Sequence, residues 1–310
     1  MDAWVIIINL KSGKKHFRQQ IDYLFHQMEK NKLEYISKIT QFAGHAGMIA
    51  KNYLQQGYTK YLVVGGDGTV SEVINGLFSS DSVSGNLQIG LIPRGTGNDW
   101  ARYWGLTKDY YHSIDVFLKG NLHKIDIGKV DYHIENEQQK RFFINSIGFG
   151  LDAAVAQKTN HLKKFLGSHS VLYTIALLAA VFKFRSKQVK IASQEKEIRE
   201  AMFTMNIANA CFSGGGMKQN PLAVPDDGRF DVMFAGIPTF QDILSALVYL
   251  FRGKILEHPV IQSFRTEELE LSCENNEMYE SIFEADGIVC HCSPPLKISV
   301  LPGAIQMIVP

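Results

Sequence analysis

Tyr61-Leu62-Val63-Val64-Gly65-Gly66-Asp67-Gly68-Thr69-Val70-Ser71-Glu72-Val73-Ile74-Asn75-Gly76-Leu77 decides the fold. The opening apolar run reads as a buried strand, and the stretch from Val70 reads as a helix. Between them lie three glycines, a carboxylate and a hydroxyl. Glycines at such a turn let main-chain N–H groups approach an anion closely, and the helix N-terminus adds partial positive charge. Thr69 with Glu72 three residues on fits a capping box at the helix start. Taken alone, the segment is equally a tight strand-to-helix turn.

A second such turn, Pro93-Arg94-Gly95-Thr96-Gly97-Asn98-Asp99, follows the apolar run 89–92. A weaker third, Asn9-Leu10-Lys11-Ser12-Gly13-Lys14-Lys15, follows the run 5–8. In an open parallel sheet, turns after strand C-termini share one edge, where ligands bind. Turns carrying Lys11, Lys14, Arg94, Asp67 and Asp99 can therefore converge on one polyphosphate. No Gly-x-Gly-x-x-Gly opens the first helix and no P-loop is present, so the pattern is neither a dinucleotide fingerprint nor a Walker motif.

From residue 1 to about 120, strand-like runs at 4–8, 34–39, 61–64 and 88–92 alternate with helical ones. Phe17, Ile21, Leu24, Phe25 and Met28 share one face of the first helix. This alternation predicts a doubly wound α/β domain. After about residue 122, short β-like runs dominate, at 123–130, 141–146, 188–192, 201–208, 229–234, 260–265, 268–272, 281–285 and 297–300. Helical stretches fall near 151–164, 171–184 and 240–251. Many short strands with turn signals predict a β-sandwich-like second domain. The expected fold class is α/β plus β.

The three turns, together with Phe143-Ile144-Asn145-Ser146-Ile147-Gly148-Phe149-Gly150-Leu151-Asp152-Ala153, Asn209, Gly214-Gly215-Gly216-Met217 and Pro225-Asp226-Asp227-Gly228-Arg229-Phe230-Asp231, resemble the diacylglycerol kinase catalytic-domain family. Within it, the chain resembles the bacterial soluble lipid kinases of the diacylglycerol, sphingosine and phosphatidylglycerol kinase type. The resemblance covers essentially the whole chain. Gly-Gly-Asp-Gly alone is shared with NAD kinases and phosphofructokinases; the ordered set is far more specific. The resemblance implies a nucleotide-binding domain of NAD-kinase-like fold at 1–122, to which the last strands at 296–310 return, and a lipid-substrate domain at 123–295.

Phosphoryl transfer requires a positioned γ-phosphate, neutralised charge and a base near the attacking hydroxyl. The cofactors expected are ATP and Mg²⁺. Asn9, Ser12 and Gly13 would hold phosphate oxygens, and Thr96 and Asn98 beside Gly95 offer uncharged donors. Gly65, Gly66, Gly68 and Thr69 complete the cradle. Asp67 either orients Mg²⁺–ATP or receives a proton. Glu72, a turn further on, faces the same site or solvent, and Asp99 alternatively caps the helix from Trp100. Thr40 falls where the family contacts nucleotide, or else is a helix cap before Gly44-His45-Ala46. The resemblance also implies a structural Mg²⁺ held by the Asp227 side chain and the Val224 and Arg229 carbonyls; chemistry alone reads Asp226-Asp227-Gly228 as a turn.

One position departs from the family pattern. Where the family carries Asp-Gly-Glu, this chain reads Asp286-Gly287-Ile288, and isoleucine cannot take a proton. Asp286, Glu284 or Asp67 would have to substitute; general-base catalysis typically contributes about 10²–10⁴-fold. The alternatives are an NAD-kinase-like nucleotide kinase and a non-catalytic ATP- or lipid-binding homologue.

At 310 residues the chain is long enough for two cores. A net charge of +1 gives no support to a nucleic-acid partner. Four scattered cysteines make no disulfide framework, and Cys290-His291-Cys292 lacks the spacing and second pair of a structural zinc site. The N-terminus carries no signal-peptide pattern and the longest apolar run falls short of a span. These features predict a cytoplasmic protein. The apolar helix expected near 171–184, flanked by Lys163, Lys164, Lys183 and Arg185, is either a core helix or an interfacial one touching lipid at the inner membrane face. The lipid hydroxyl is expected to enter between the two domains, and oligomeric state is open.

Overall fold

The computed structural model describes residues 1–11, 17–79, 86–106, 109–135, 137–166, 184, 186–273 and 281–310. The chain divides into two compact units, Met1–Ile125 with Gly303–Pro310, and Asp126–Pro302. The helix expected near 171–184 lies outside the described residues, apart from Phe184. No helix among the described residues is long and apolar enough to cross a membrane.

The first unit runs β1 (Trp4–Ile8), α1 (Phe17–Lys30), β2 (Tyr35–Ile39), α2 (His45–Gln55), β3 (Lys60–Gly65), α3 (Asp67–Leu77), β4 (Gln88–Pro93), α4 (Asp99–Tyr103) and α5 (Tyr110–Lys119). Its strands are parallel in the order β2-β1-β3-β4. Every residue of β1 is buried, as expected of a strand covered on both faces. On α1, Leu24 and Met28 are fully buried, so the predicted face is the one that packs. The α/β expectation holds.

Helices α2 and α3 meet backbone to backbone. A Cβ on Gly76 would lie 2.1 Å from the Gly47 carbonyl oxygen, and one on Gly47 would lie 2.7 Å from that of Glu72. This close approach fixes the N-terminal end of α2 against the middle and last turn of α3.

The second unit contains β5 (Leu122–Ile134, which opens in the first unit), β6 (Glu137–Phe143), β7 (Ser146–Gly150), α6 (Leu151–Leu166), β8 (Lys187–Ser193), β9 (Glu197–Met202), β10 (Thr204–Ala208), the short β11 (Phe212–Ser213) and β12 (Met217–Lys218), β13 (Phe230–Ala235), α7 (Phe240–Phe251), β14 (Ile261–Thr266), β15 (Glu268–Cys273), β16 (Ser281–Ala285) and β17 (Ile288–Ile308). One antiparallel run orders β14-β13-β10-β7-β16-β17, and β17 also pairs with β15, which continues to β8 and β9. Phe143, Phe230, Phe234 and Phe283 are fully buried in its core, as a sandwich-like unit requires. Where the sequence suggests only a short strand at 297–300, β17 extends for 21 residues. It does so by changing partners: β16, then β15, and finally β4, opposite Gln306 and Met307.

The α2–α3 contact gives a direct test. Gly76→Ala should lower the stability of the folded chain by about 1–3 kcal/mol, the usual cost of overpacking, read as a lower midpoint in urea denaturation. A variant as stable as the parent would mean the helices part without cost.

Candidate active site

β3 and β4 pair in register as far as Gly65 opposite Pro93, so both glycine turns leave the sheet at one edge. They touch through main chain: a Cβ on Gly66 would lie 2.6 Å from the Gly95 Cα, and one on Gly95 would lie 2.7 Å from the Gly66 Cα. The Arg94 N–H donates to the Gly65 carbonyl at 2.8 Å. Asn98, in the left-handed region at φ 51°, donates from Nδ2 to the Gly95 carbonyl at 3.0 Å. Its buried amide oxygen has no hydrogen-bond partner among the described residues and lies against the glycine contact. Above Gly68, a Cβ would meet nothing within 4 Å.

Asp67 joins the two turns. Sitting in the first turn of α3, it accepts from the Trp100 N–H at 3.2 Å, in the first turn of α4. Burial pushes its carboxyl up from the ordinary range; the N–H groups of Trp100, Asp99 and Asn98 pull it back down. The third turn joins through Asn9, which donates from Nδ2 to the Thr69 Oγ1 at 3.0 Å and from its main chain to the Val64 carbonyl at 2.9 Å. The Thr40 N–H donates to the Ile8 carbonyl at 2.9 Å. Asn9, Thr40, Gly65, Gly66, Asp67, Gly68, Thr69, Gly95, Thr96 and Asn98 therefore lie along one sheet edge. Ser12 and Gly13 lie outside the described residues.

Several local expectations resolve differently. The cap of α3 is Gly66, and Thr69 sits inside the helix, so the capping box is not formed. Glu72 instead accepts from the Gly44 N–H at 2.8 Å and the Ala46 N–H at 3.2 Å, which makes it the clasp on α2 rather than a group facing the cradle. Gly44, not Thr40, is the cap residue of α2. Asn98 precedes α4, whose first turn takes its carboxylate from Asp67. The Arg94 guanidinium turns to Gln20 and lies 5.8 Å from the Tyr110 ring centroid.

In the second unit, Asp286 and Gly287, at φ 49° and 79°, form a two-residue hairpin turn between β16 and β17. The Asp286 carboxylate accepts from the N–H groups of Asn145 at 2.9 Å, Ile144 at 3.0 Å and Ser146 at 3.3 Å. Burial, partly offset by these donors, pushes its pKa up to about 6. Ile288 pairs with Ala285 immediately after the turn.

Beside this hairpin lies an acidic pair. Gly148 on β7 stands opposite Glu284 on β16 and Asn206 on β10. A Cβ on Gly148 would lie 3.1 Å from the Asp152 Oδ2 and 3.1 Å from the Glu284 Oε1, so no more than twice that distance separates the two carboxylates. Asp152 accepts from Asn206 Nδ2 at 3.0 Å and Gln219 Nε2 at 2.9 Å, and Glu284 accepts from the Gly287 N–H at 2.7 Å. Burial raises Asp152 to about 6. Burial and the charge of Asp152 raise Glu284 to about 8. Both carboxyls are thus pushed upward, Glu284 the further because the Asp152 charge stands beside it, as for two acids that resist ionising together. Asp152 and Gln219 also line a cavity of about 80 Å³ whose other walls include Leu151, Phe203, Ile243, Leu247 and Leu250. The sequence motif around Ser146–Asp152 names Asp152 without a role; the signal for the pair is an acid set in otherwise apolar runs.

Between the ordinary carboxylate range and about pH 8 the folded chain holds protons that the unfolded chain has released. Stability should therefore fall as pH rises across that window. Urea midpoints from pH 5 to 9 should decline, and Glu284→Gln should flatten the part above pH 6.

The Asp227 side chain, which the resemblance implies as a metal ligand beside the Val224 and Arg229 carbonyls, is engaged by donors of the protein itself. The Asp227 carboxylate accepts from the Arg229 N–H at 3.1 Å and pairs with the Arg265 guanidinium. Arg265 also lies 3.5 Å from Asp231, its cross-strand neighbour. The Arg265 guanidinium thus competes with any cation for the Asp227 carboxylate. Adding Mg²⁺ or EDTA should leave the thermal midpoint of the parent unmoved. Arg265→Ala should lower stability, because it leaves the buried Asp231 carboxylate without its cation, and make the midpoint respond to Mg²⁺.

A parallel-sheet unit with a glycine cradle and a sandwich-like unit with a buried acidic pair make up the chain. Residues 3–130 match the family model described as diacylglycerol kinase catalytic domain, and residues 145–309 match that of the YegS C-terminal NAD kinase beta sandwich-like domain. The diacylglycerol kinase of Staphylococcus carnosus is 30% identical over 86% of this chain and 83% of its own. That of Staphylococcus saprophyticus is 28% identical over 86% and 84%. The crystal structure of a diacylglycerol kinase from Bacillus anthracis matches with a TM-score of 0.74 at 18% identity, over 100% of this chain and 97% of its own. Yeast NADH kinase matches with 0.55 at 9%, over 99% and 83%. Those two likenesses concern fold. The chain belongs to the diacylglycerol kinase family and is an enzyme of the lipid kinase class.

Proposed function

We propose that the protein transfers the γ-phosphate of ATP to the hydroxyl of a lipid such as diacylglycerol. The observation that carries this reading is the Gly66–Gly95 contact: two βα turns are packed so closely that neither admits a side chain, with the first turns of two helices tied at the same edge. Such a cradle suits a polyphosphate. The orphaned Asn98 oxygen offers an acceptor to a water held on the Mg²⁺ of Mg²⁺–ATP. Asp67 acts by holding α4 against α3, and Asp286 by fixing the chain between β6 and β7; both act on position, through main-chain N–H groups.

The acceptor is amphiphilic in this reading. Its apolar part takes the cavity beneath α7 and its hydroxyl meets Asp152, which lines that cavity beside Gln219. As the oxygen–phosphorus bond forms and ADP leaves, the hydroxyl proton passes to Asp152. This assigns the base without the glutamate that Ile288 replaces. A reaction at a peripheral membrane surface on the cytoplasmic side follows from a lipid acceptor.

The test is transfer of labelled γ-phosphate from Mg²⁺–ATP to diacylglycerol in mixed detergent micelles, with NAD as a parallel acceptor. Lipid is expected to be labelled and NAD not, and Asp152→Asn should lower the rate by about 10²–10⁴-fold, the usual share of a general base. The parent rate should fall below about pH 6 as Asp152 protonates. Labelling of NAD and not of lipid would overturn the proposal.

A further inference from the structure

We propose that Phe42 is the platform on which the nucleotide's purine ring stacks, an inference that rests on the ATP reading above. Leu10, Ile39, Phe42 and Met48 are large apolar side chains left about half exposed. Leu10 follows the end of β1, Ile39 ends β2, Phe42 lies in the loop after β2, and Met48 is in the first turn of α2. All therefore belong to the C-terminal edge of the parallel strands, where a ligand of this kind of sheet binds. An exposed apolar cluster beside a polar cradle is the composition of a site that takes a molecule with a flat apolar end and a charged end.

The platform is built, not merely exposed. The rings of Phe42 and His45 stack at 4.6 Å between centroids and 8° between planes. His45 is itself held, because its Nδ1 accepts from the Gln41 N–H at 3.1 Å. With one face of the Phe42 ring against the imidazole, the ring is still 52% exposed. The loop is anchored to the phosphate turns at both ends: the Thr40 N–H bonds the Ile8 carbonyl, one residue before Asn9, and Glu72 of α3 clasps Gly44 and Ala46. β2 and β3 flank β1, so their ends lie roughly 10 Å apart at ordinary strand spacing. Ribose and phosphates of a nucleoside triphosphate bridge that separation, with the phosphates on Gly65–Thr69 and the base over Phe42.

The test compares binding of Mg²⁺–ATP with binding of Mg²⁺–tripolyphosphate, which keeps the phosphates and lacks the base. Both are titrated calorimetrically into the full chain, into Phe42→Ala and into Phe42→Trp. Phe42→Ala should weaken ATP roughly 10- to 100-fold, the usual loss of one base–aromatic stack, with tripolyphosphate affinity and unfolding midpoint unchanged. Phe42→Trp should bind ATP as the parent does, its fluorescence quenched as the base covers the indole. If Phe42→Ala binds ATP as tightly as the parent, or loses both ligands equally, the platform is wrong while ATP binding stands. If the parent binds neither ligand, the ATP reading itself falls and the platform with it.

Discussion

The hydrogen bond from the Trp100 main chain to the Asp67 carboxylate is the constraint on which the first unit's ligand edge depends. It sets one carboxyl group between the starts of two helices, α3 and α4, and gives a main-chain donor of α4 its acceptor. It also pulls the loops toward each other until Gly66 and Gly95 meet through their α-carbons. The two features demand each other: without the glycines the carboxylate could not reach, and without the carboxylate the N–H groups of α4 would lack their acceptor. An acid in a glycine turn invites a chemical role. Here its surroundings assign it an architectural one, since the N–H groups that lower its pKa are the same ones it orders.

What the sequence discloses well is what depends on neighbours in the chain. The alternation from β1 to β4 is written in apolar runs that are buried as read, and α1 buries Leu24 and Met28 on the face their spacing predicts. The Asp286-Gly287 turn follows from two residues that tolerate positive φ. What it hides is each partner that arrives from far along the chain. Thr69 and Glu72 have the spacing of a capping box, yet Thr69 meets Asn9 and Glu72 clasps α2. Local pattern says that these side chains want main-chain donors; only the packing says whose. Likewise Asp286 is plain as a turn residue and opaque as the anchor of Ile144–Ser146, some 140 residues earlier. β17 is illegible for a related reason, because its length comes from a succession of partners rather than from its own propensity.

The second unit shows how a fold stores acids it has no stabilising use for. Asp152, Glu284 and Asp286 crowd around the ends of β7, all with pKa values driven above the ordinary range by burial. Asp286 is compensated by three main-chain donors, which explains its presence without chemistry. Asp152 has two side-chain amides and Glu284 a single N–H, and the bare α-carbon of Gly148 is what gives the pair room. Uncompensated buried acids lower stability wherever they ionise, and natural folds keep such strain chiefly at functional sites. The contrast within one small neighbourhood therefore separates roles. A carboxylate saturated by backbone donors is explained by the frame alone, whereas one left with a titrating neighbour and an apolar cavity in front of it is not, and this is why the proposed base is sought there.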